Sequence, residues 1–146
     1  MTMTTQAARS SALDARTAEQ LSLAFNRVFE TLQPDGDLFT ADVFFDLNMP
    51  VWRFQMQGQK AFTTQLKQIS QGKSRVEIVR TVATVSGFVT EHVEHQDVNG
   101  EDLSARRLWL CEVRDGRIAE VIGYCSGEWD EELRERHAAE APMIRL

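Results

Sequence analysis

The chain has 146 residues, 42% of them hydrophobic and 26% charged, which is long enough for one domain with its own core and too apolar for wholesale disorder. Sixteen basic against twenty-two acidic residues leave a net charge of -6 with no lysine or arginine run, which argues against a nucleic-acid binder. The opening MTMTTQAARSSAL lacks a signal peptide's apolar core, and no stretch approaches the roughly 20 apolar residues of a membrane span, so a cytoplasmic location without membrane contact is expected.

Residues 1–12 are small, polar and aperiodic, and read as a flexible tail ahead of a single domain over 13–146. Asp14 is a candidate N-cap for an amphipathic helix in which Leu21, Phe25, Val28 and Leu32 recur at helical spacing, widened by Ala24 and Phe29. Pro34-Asp35-Gly36 stops it. A short helical turn around Leu38 and Phe39 leads into a strand over residues 43–48, ended by Pro50. Trp52, Phe54 and Met56 then alternate, and Gly58 opens a second helix with Phe62, Leu66 and Ile69 on one face and Gly72 as its stop.

Beyond Gly72 the pattern turns to long strands: SRVEIVRTVATV, GFVTEHVEHQD, DLSARRLWLCEV and RIAEVIGYCSG. Ser86-Gly87, Asn99-Gly100 and Asp115-Gly116 separate them, each a strong turn dipeptide, so a four-strand antiparallel meander is predicted. A charged helix over about residues 129–140 closes the chain, with Trp129 and Leu133 as its anchors. Helices followed by a curved antiparallel sheet make an α+β fold in which the N-terminal helices cover one sheet face.

A two-residue Asn99-Gly100 turn pairs residues whose numbers sum to 199, so His92 faces Arg107 and Thr90 faces Trp109. One face of this hairpin then carries Thr90, His92, Glu94, Ala105, Arg107, Trp109 and Cys111, and the other Val89, Glu91, Val93, His95, Arg106, Leu108 and Leu110. Composition does not decide which face is inside: His92, Glu94 and Arg107 form either an exposed charge cluster or the polar part of a pocket, and His95 suits a solvated rim.

The segments DLNMPVWRFQMQGQKAFTTQL, from Asp46 to Leu66, and TEHVE, from Thr90 to Glu94, together with the closing GRI strand, resemble the limonene-epoxide hydrolase branch of the nuclear transport factor 2-like, or SnoaL-like (polyketide cyclase-like), superfamily. That resemblance implies a cone-shaped curved sheet with helices across its opening and a small-molecule pocket inside. It turns the His92 face inward, with Asn48 holding the attacking water, Asp46 in place of the family's tyrosine, His92 in place of its arginine and Glu94 as its acid. Gly123 stands where the family's base aspartate would be, so hydrolysis by the same base is not implied. A two-residue Asp115-Gly116 turn would aim Ile122 and Tyr124 inward, whereas a bulge would aim Val121, Gly123 and Cys125 inward; the resemblance favours the second.

Asp46, Asn48, His92, Glu94 and Arg107 would together suit general acid-base catalysis on a small apolar, polyketide-like or terpenoid-like substrate, as in a hydrolase, dehydratase or isomerase. Trp52, Phe54 and Met56 would form the pocket's lip, and Trp109 would stack on the ligand. The alternative is a non-catalytic small-molecule binder or dimerisation module. No cofactor is implied: His92 and Glu94 supply at most two metal ligands, and no third is assured. Cys111 and Cys125 read as small buried hydrophobes. The outer sheet face, with Val76, Ile78, Val82, Val93, Leu108 and Leu110, suits a homodimer.

Overall fold

The computed structural model describes residues 13–70 and 73–145, and both the N-terminal tail and the Gly72 stop fall outside them. The elements are α1 (Ala15–Thr31), β1 (Phe39–Met49), β2 (Trp52–Gln57), α2 (Gln59–Ile69), β3 (Lys73–Ala83), β4 (Gly87–Val98), β5 (Glu101–Arg114), β6 (Arg117–Trp129) and α3 (Glu131–Glu140). The six strands form one curved sheet in the order β2-β1-β6-β5-β4-β3. It is mixed: the four-strand meander and the β1/β2 pair are antiparallel, while β1 lies parallel to β6.

Local signals set most boundaries. Asp14 Oδ1 accepts the Thr17 amide at 2.7 Å, satisfying a free N–H at the start of α1. Asn99 and Gly100 have φ of 54° and 82°, the left-handed pair that a type I′ turn requires. The β4/β5 ladder accordingly runs unbroken from Val98↔Glu101 to Gly87↔Glu112.

Asp115 and Gly116 also form a two-residue turn, with φ of 53° and 76°, and Arg114 pairs directly with Arg117. One pair further on, the register shifts between Val113↔Ile118 and Glu112↔Glu120. A bulge at Ala119 therefore restores the inward aim of Val121, Gly123 and Cys125.

Other elements depart from expectation. Leu38 and Phe39 are not helical: β1 begins at Phe39, because the Leu38 carbonyl accepts from the Ile118 amide at 2.8 Å and Phe39 pairs with Ile118. Residues 52–57 are a full strand. The last helix starts only at Glu131, since Trp129 still belongs to β6 and Asp130 is the N-cap. Val76 and Ile78 sit opposite Glu94 and His92, hence on the inward face, and the shift after Ile78 leaves Val82 on the outer one.

α1 packs across β3 and β4, and α2 across β1 and β2. Between helices and sheet lies an aromatic core of Phe25, Phe29, Phe39, Phe45, Phe62, Phe88 and Trp109, all buried. Phe45 and Phe62 stack at 4.2 Å between centroids, tying β1 to α2. Each such side chain contributes about 1.5–3 kcal/mol by leaving water. Among the described residues no helix is long and apolar enough to cross a membrane.

Candidate functional site

The concave face holds a cavity of about 100 Å³ between the sheet, α1 and α2. Eight apolar side chains line it, Phe29, Leu47, Met49, Phe54, Phe62, Leu66, Ile69 and Trp109, with two polar ones, Gln65 and Arg107. Phe29, Leu47, Phe62 and Trp109 are buried and form its floor, whereas Phe54, Gln65 and Ile69 are partly exposed. Its mouth therefore lies between β2 and α2.

His92 lies behind this wall, fully buried. The Trp109 Nε1–H, which can only donate, points at His92 Nε2 at 3.4 Å. Nε2 must then be the bare nitrogen and Nδ1 the protonated one. Nδ1–H donates to Asn26 Oδ1 at 2.7 Å, and the Asn26 amide nitrogen donates to the Ser22 carbonyl at 2.7 Å and Thr90 Oγ1 at 3.1 Å. Ser22 and Thr81 hydroxyls share a 2.7 Å bond beyond them. Every atom of the imidazole that can hydrogen-bond is thus engaged within the protein. Burial first, and the neighbouring Arg107 charge second, push the His92 pKa down to about 3, so the ring is neutral at pH 7.

Arg107 and Glu94 are both buried and form a short charged hydrogen bond. Burial works against the Arg107 charge, but the Glu94 carboxylate and Cys125 beside it outweigh burial and hold its pKa above the ordinary arginine value. Such a pair is close to neutral as a unit, and a buried charge without its partner would be costly. Arg107 borders the cavity, while Glu94 lies on its far side among Gln96, Ala105 and Glu128.

No protein-family model matches the chain, and no curated protein matches it. Solved structures do. An LEH-like epoxide hydrolase from M. tuberculosis superposes with a TM-score of 0.60 at 20% identity, over 75% of this chain and 78% of that one. An NTF2-like protein from Anabaena variabilis gives 0.63 at 18% identity, over 77% and 88%. A protein with a ketosteroid isomerase-like fold from Catenulispora acidiphila gives 0.57 at 14% identity, over 72% and 84%. The chain has the nuclear transport factor 2-like fold.

Within this nuclear transport factor 2-like cone the expected site residues separate into three groups. His92, Glu94, Arg107 and Trp109 share the inward face, as the hairpin geometry and the resemblance implied. Asp46 and Asn48 do not join them. The inward positions of β1 are Val43, Phe45, Leu47 and Met49, an unbroken apolar set, and strand alternation then sends Asp46 and Asn48 to the opposite face. There Arg53 clamps Asp46 with bonds of 2.8 and 2.6 Å, and that guanidinium lowers the Asp46 pKa. Asn48 instead donates to the Gly123 carbonyl at 3.3 Å.

The lip also divides. Phe54 lines the cavity, and Met56 packs against the core without bordering it. Trp52 is 71% exposed at the end of β2 and does not line it. Among the described residues no group of three His, Cys, Asp or Glu side chains is placed to hold a metal.

Two sets of residues had not been singled out. Leu47 and Gln65 border the cavity, and Ser22 and Asn26 carry the hydrogen-bond chain behind it. The second set had a signal: Ala18, Ser22, Asn26 and Phe29 follow helical spacing, so two polar residues lie on the face that α1 buries.

Proposed function

We propose that the domain binds a small, uncharged, mostly apolar molecule in the cavity beside Trp109, with one acceptor atom directed at Arg107 or Gln65. The observation that carries this is the cavity wall itself, apolar except for those two hydrogen-bond donors. Charge balance supports a neutral ligand. Glu94 already neutralises Arg107, so an anion would add an uncompensated buried charge, and a cation would meet Arg107 itself. Titration with 1-butanol, butyrate and butylammonium, read from the Trp109 indole N–H resonance, tests this. The alcohol is expected to bind about tenfold or more tightly than either ion. Preference for an ion overturns the proposal.

A second reading, a hydrolase or isomerase acting on a small molecule, is favoured by Arg107 at the cavity wall, held from behind by Glu94, and by the likeness to an epoxide hydrolase. In it Arg107, oriented by the Glu94 carboxylate behind it, stabilises negative charge that develops on the substrate. His92 has no part as a proton carrier, with both nitrogens engaged and its pKa about 3. Once a substrate is known, Glu94→Gln, which removes the carboxylate that orients Arg107, should lower turnover about 10²-fold. Unchanged turnover leaves only the binder.

We also propose that the outer sheet face pairs with a second copy. Val82, Leu108 and Tyr124 are 52%, 45% and 57% exposed on it, and Leu108 and Tyr124 sit side by side across β5 and β6, an apolar pair that a second copy would cover. Leu108→Glu is expected to convert a dimer to monomer in sedimentation velocity; a wild-type monomer refutes the pairing.

A further inference from the structure

The cavity ends on the indole of Trp109, which is held at both edges. Across the β5/β6 ladder Trp109 pairs with Gly123. A Cβ built at Gly123 would come within 2.3 Å of Trp109 Cζ3 and 2.6 Å of Cε3, so the six-membered ring rests on bare backbone. Its inward neighbours on β6, Val121 and Cys125, both carry side chains; only the position under the indole lacks one. At the other edge Nε1–H is tethered to His92, and His92 to Asn26. Phe25 and Phe29 bracket the ring at centroid distances of 5.4 and 5.2 Å. An indole fixed in this way cannot turn aside for a longer ligand.

Resting on the reading of this cavity as a ligand site, we infer that Trp109 sets the depth to which a ligand chain is buried, with His92 and Asn26 as its positioning residues and Gly123 as the gap that lets the ring lie back. The volume of about 100 Å³ holds roughly four non-hydrogen atoms, by the proportion of benzene in a 150 Å³ cavity. The ligand class is thus a short neutral compound carrying one acceptor, any further carbons trailing through the mouth between β2 and α2. Substitutions on the two sides of the contact should act in opposite directions. Trp109→Leu deepens the cavity, whereas Gly123→Ala drives the indole into it.

Binding of straight-chain primary alcohols from ethanol to 1-octanol, followed by protein amide shifts, tests this in one experiment. In the wild type, affinity should rise about fourfold per methylene up to three or four carbons and then level off. In Trp109→Leu the rise should continue, so that 1-hexanol binds tenfold or more tightly than to the wild type. In Gly123→Ala, 1-butanol should bind at least tenfold more weakly. The double variant, with both changes, should fold and restore 1-butanol binding even where Gly123→Ala alone does not fold. His92→Leu, which removes the indole's acceptor, should shift the plateau to longer alcohols and lose Trp109 N–H exchange protection, while His92→Gln retains both. A wild type that binds no alcohol overturns the ligand reading of the cavity. A wild type that binds alcohols, with the same plateau in Trp109→Leu and the double variant, overturns the role of Trp109 alone.

Discussion

Acidification from about pH 7 to pH 4 is expected to remove about 3 kcal/mol of stability through His92 alone. The folded ring takes up a proton only near pH 3, whereas in the unfolded chain it does so near its ordinary 6.5. Between those values the unfolded state binds the extra proton, so stability is full above about 6.5 and falls as the pH drops towards 3. The structural cause is plain: a proton on Nε2 would meet the Trp109 N–H instead of accepting from it, in a buried site beside the Arg107 charge. Urea unfolding of the wild type and His92→Gln at both pH values measures the effect. The variant is less stable at pH 7, but its loss on acidification should be smaller by about 3 kcal/mol. Asp46, whose pKa is lowered by Arg53, also loses stability on acidification, in both proteins alike, and cancels in the difference. Equal losses in the two proteins would mean that His92 titrates as an ordinary exposed histidine.

Arg107→Met is expected to cost about 3–5 kcal/mol, because it leaves the Glu94 carboxylate buried without its partner. Much of that cost belongs to the stranded charge and not to the lost contact. Adding Glu94→Leu should therefore recover most of it, and the double variant should lie within about 1–2 kcal/mol of the wild type. Denaturant unfolding of the four proteins gives the coupling directly. Additive losses would mean that the pair is solvated and contributes little.

The hairpin that carries these residues was legible from Asn99-Gly100 alone, because a two-residue type I′ turn fixes register and alternation fixes faces. Which face looked inward was not; that came from the resemblance. The same resemblance misled on β1. Plain alternation over Val43, Phe45, Leu47 and Met49 marks the inward face, yet the Asn-Met-Pro likeness drew attention to Asp46 and Asn48, one residue out of phase.

The Asp115-Gly116 hairpin shows a different limit. Turn chemistry gave a two-residue loop, the likeness gave the opposite parity, and a bulge at Ala119 reconciles them. No residue type there announces it. The satisfied state of His92 was also beyond the strand pattern, since its partner Asn26 comes from a helix 66 residues earlier. The parallel pairing of β1 with β6 is likewise a long-range fact that local spacing does not encode.

The most direct test of the cavity as the functional centre is a crystal structure with 1-butanol. The alkyl chain is expected against Leu47, Phe62 and Trp109, with its oxygen at about 2.7–3.2 Å from a donor of Arg107 or Gln65 and the His92–Asn26 bond undisturbed. An alcohol bound instead at Asp46 and Asn48 on the outer face, or an oxygen seated on a displaced His92, contradicts that assignment.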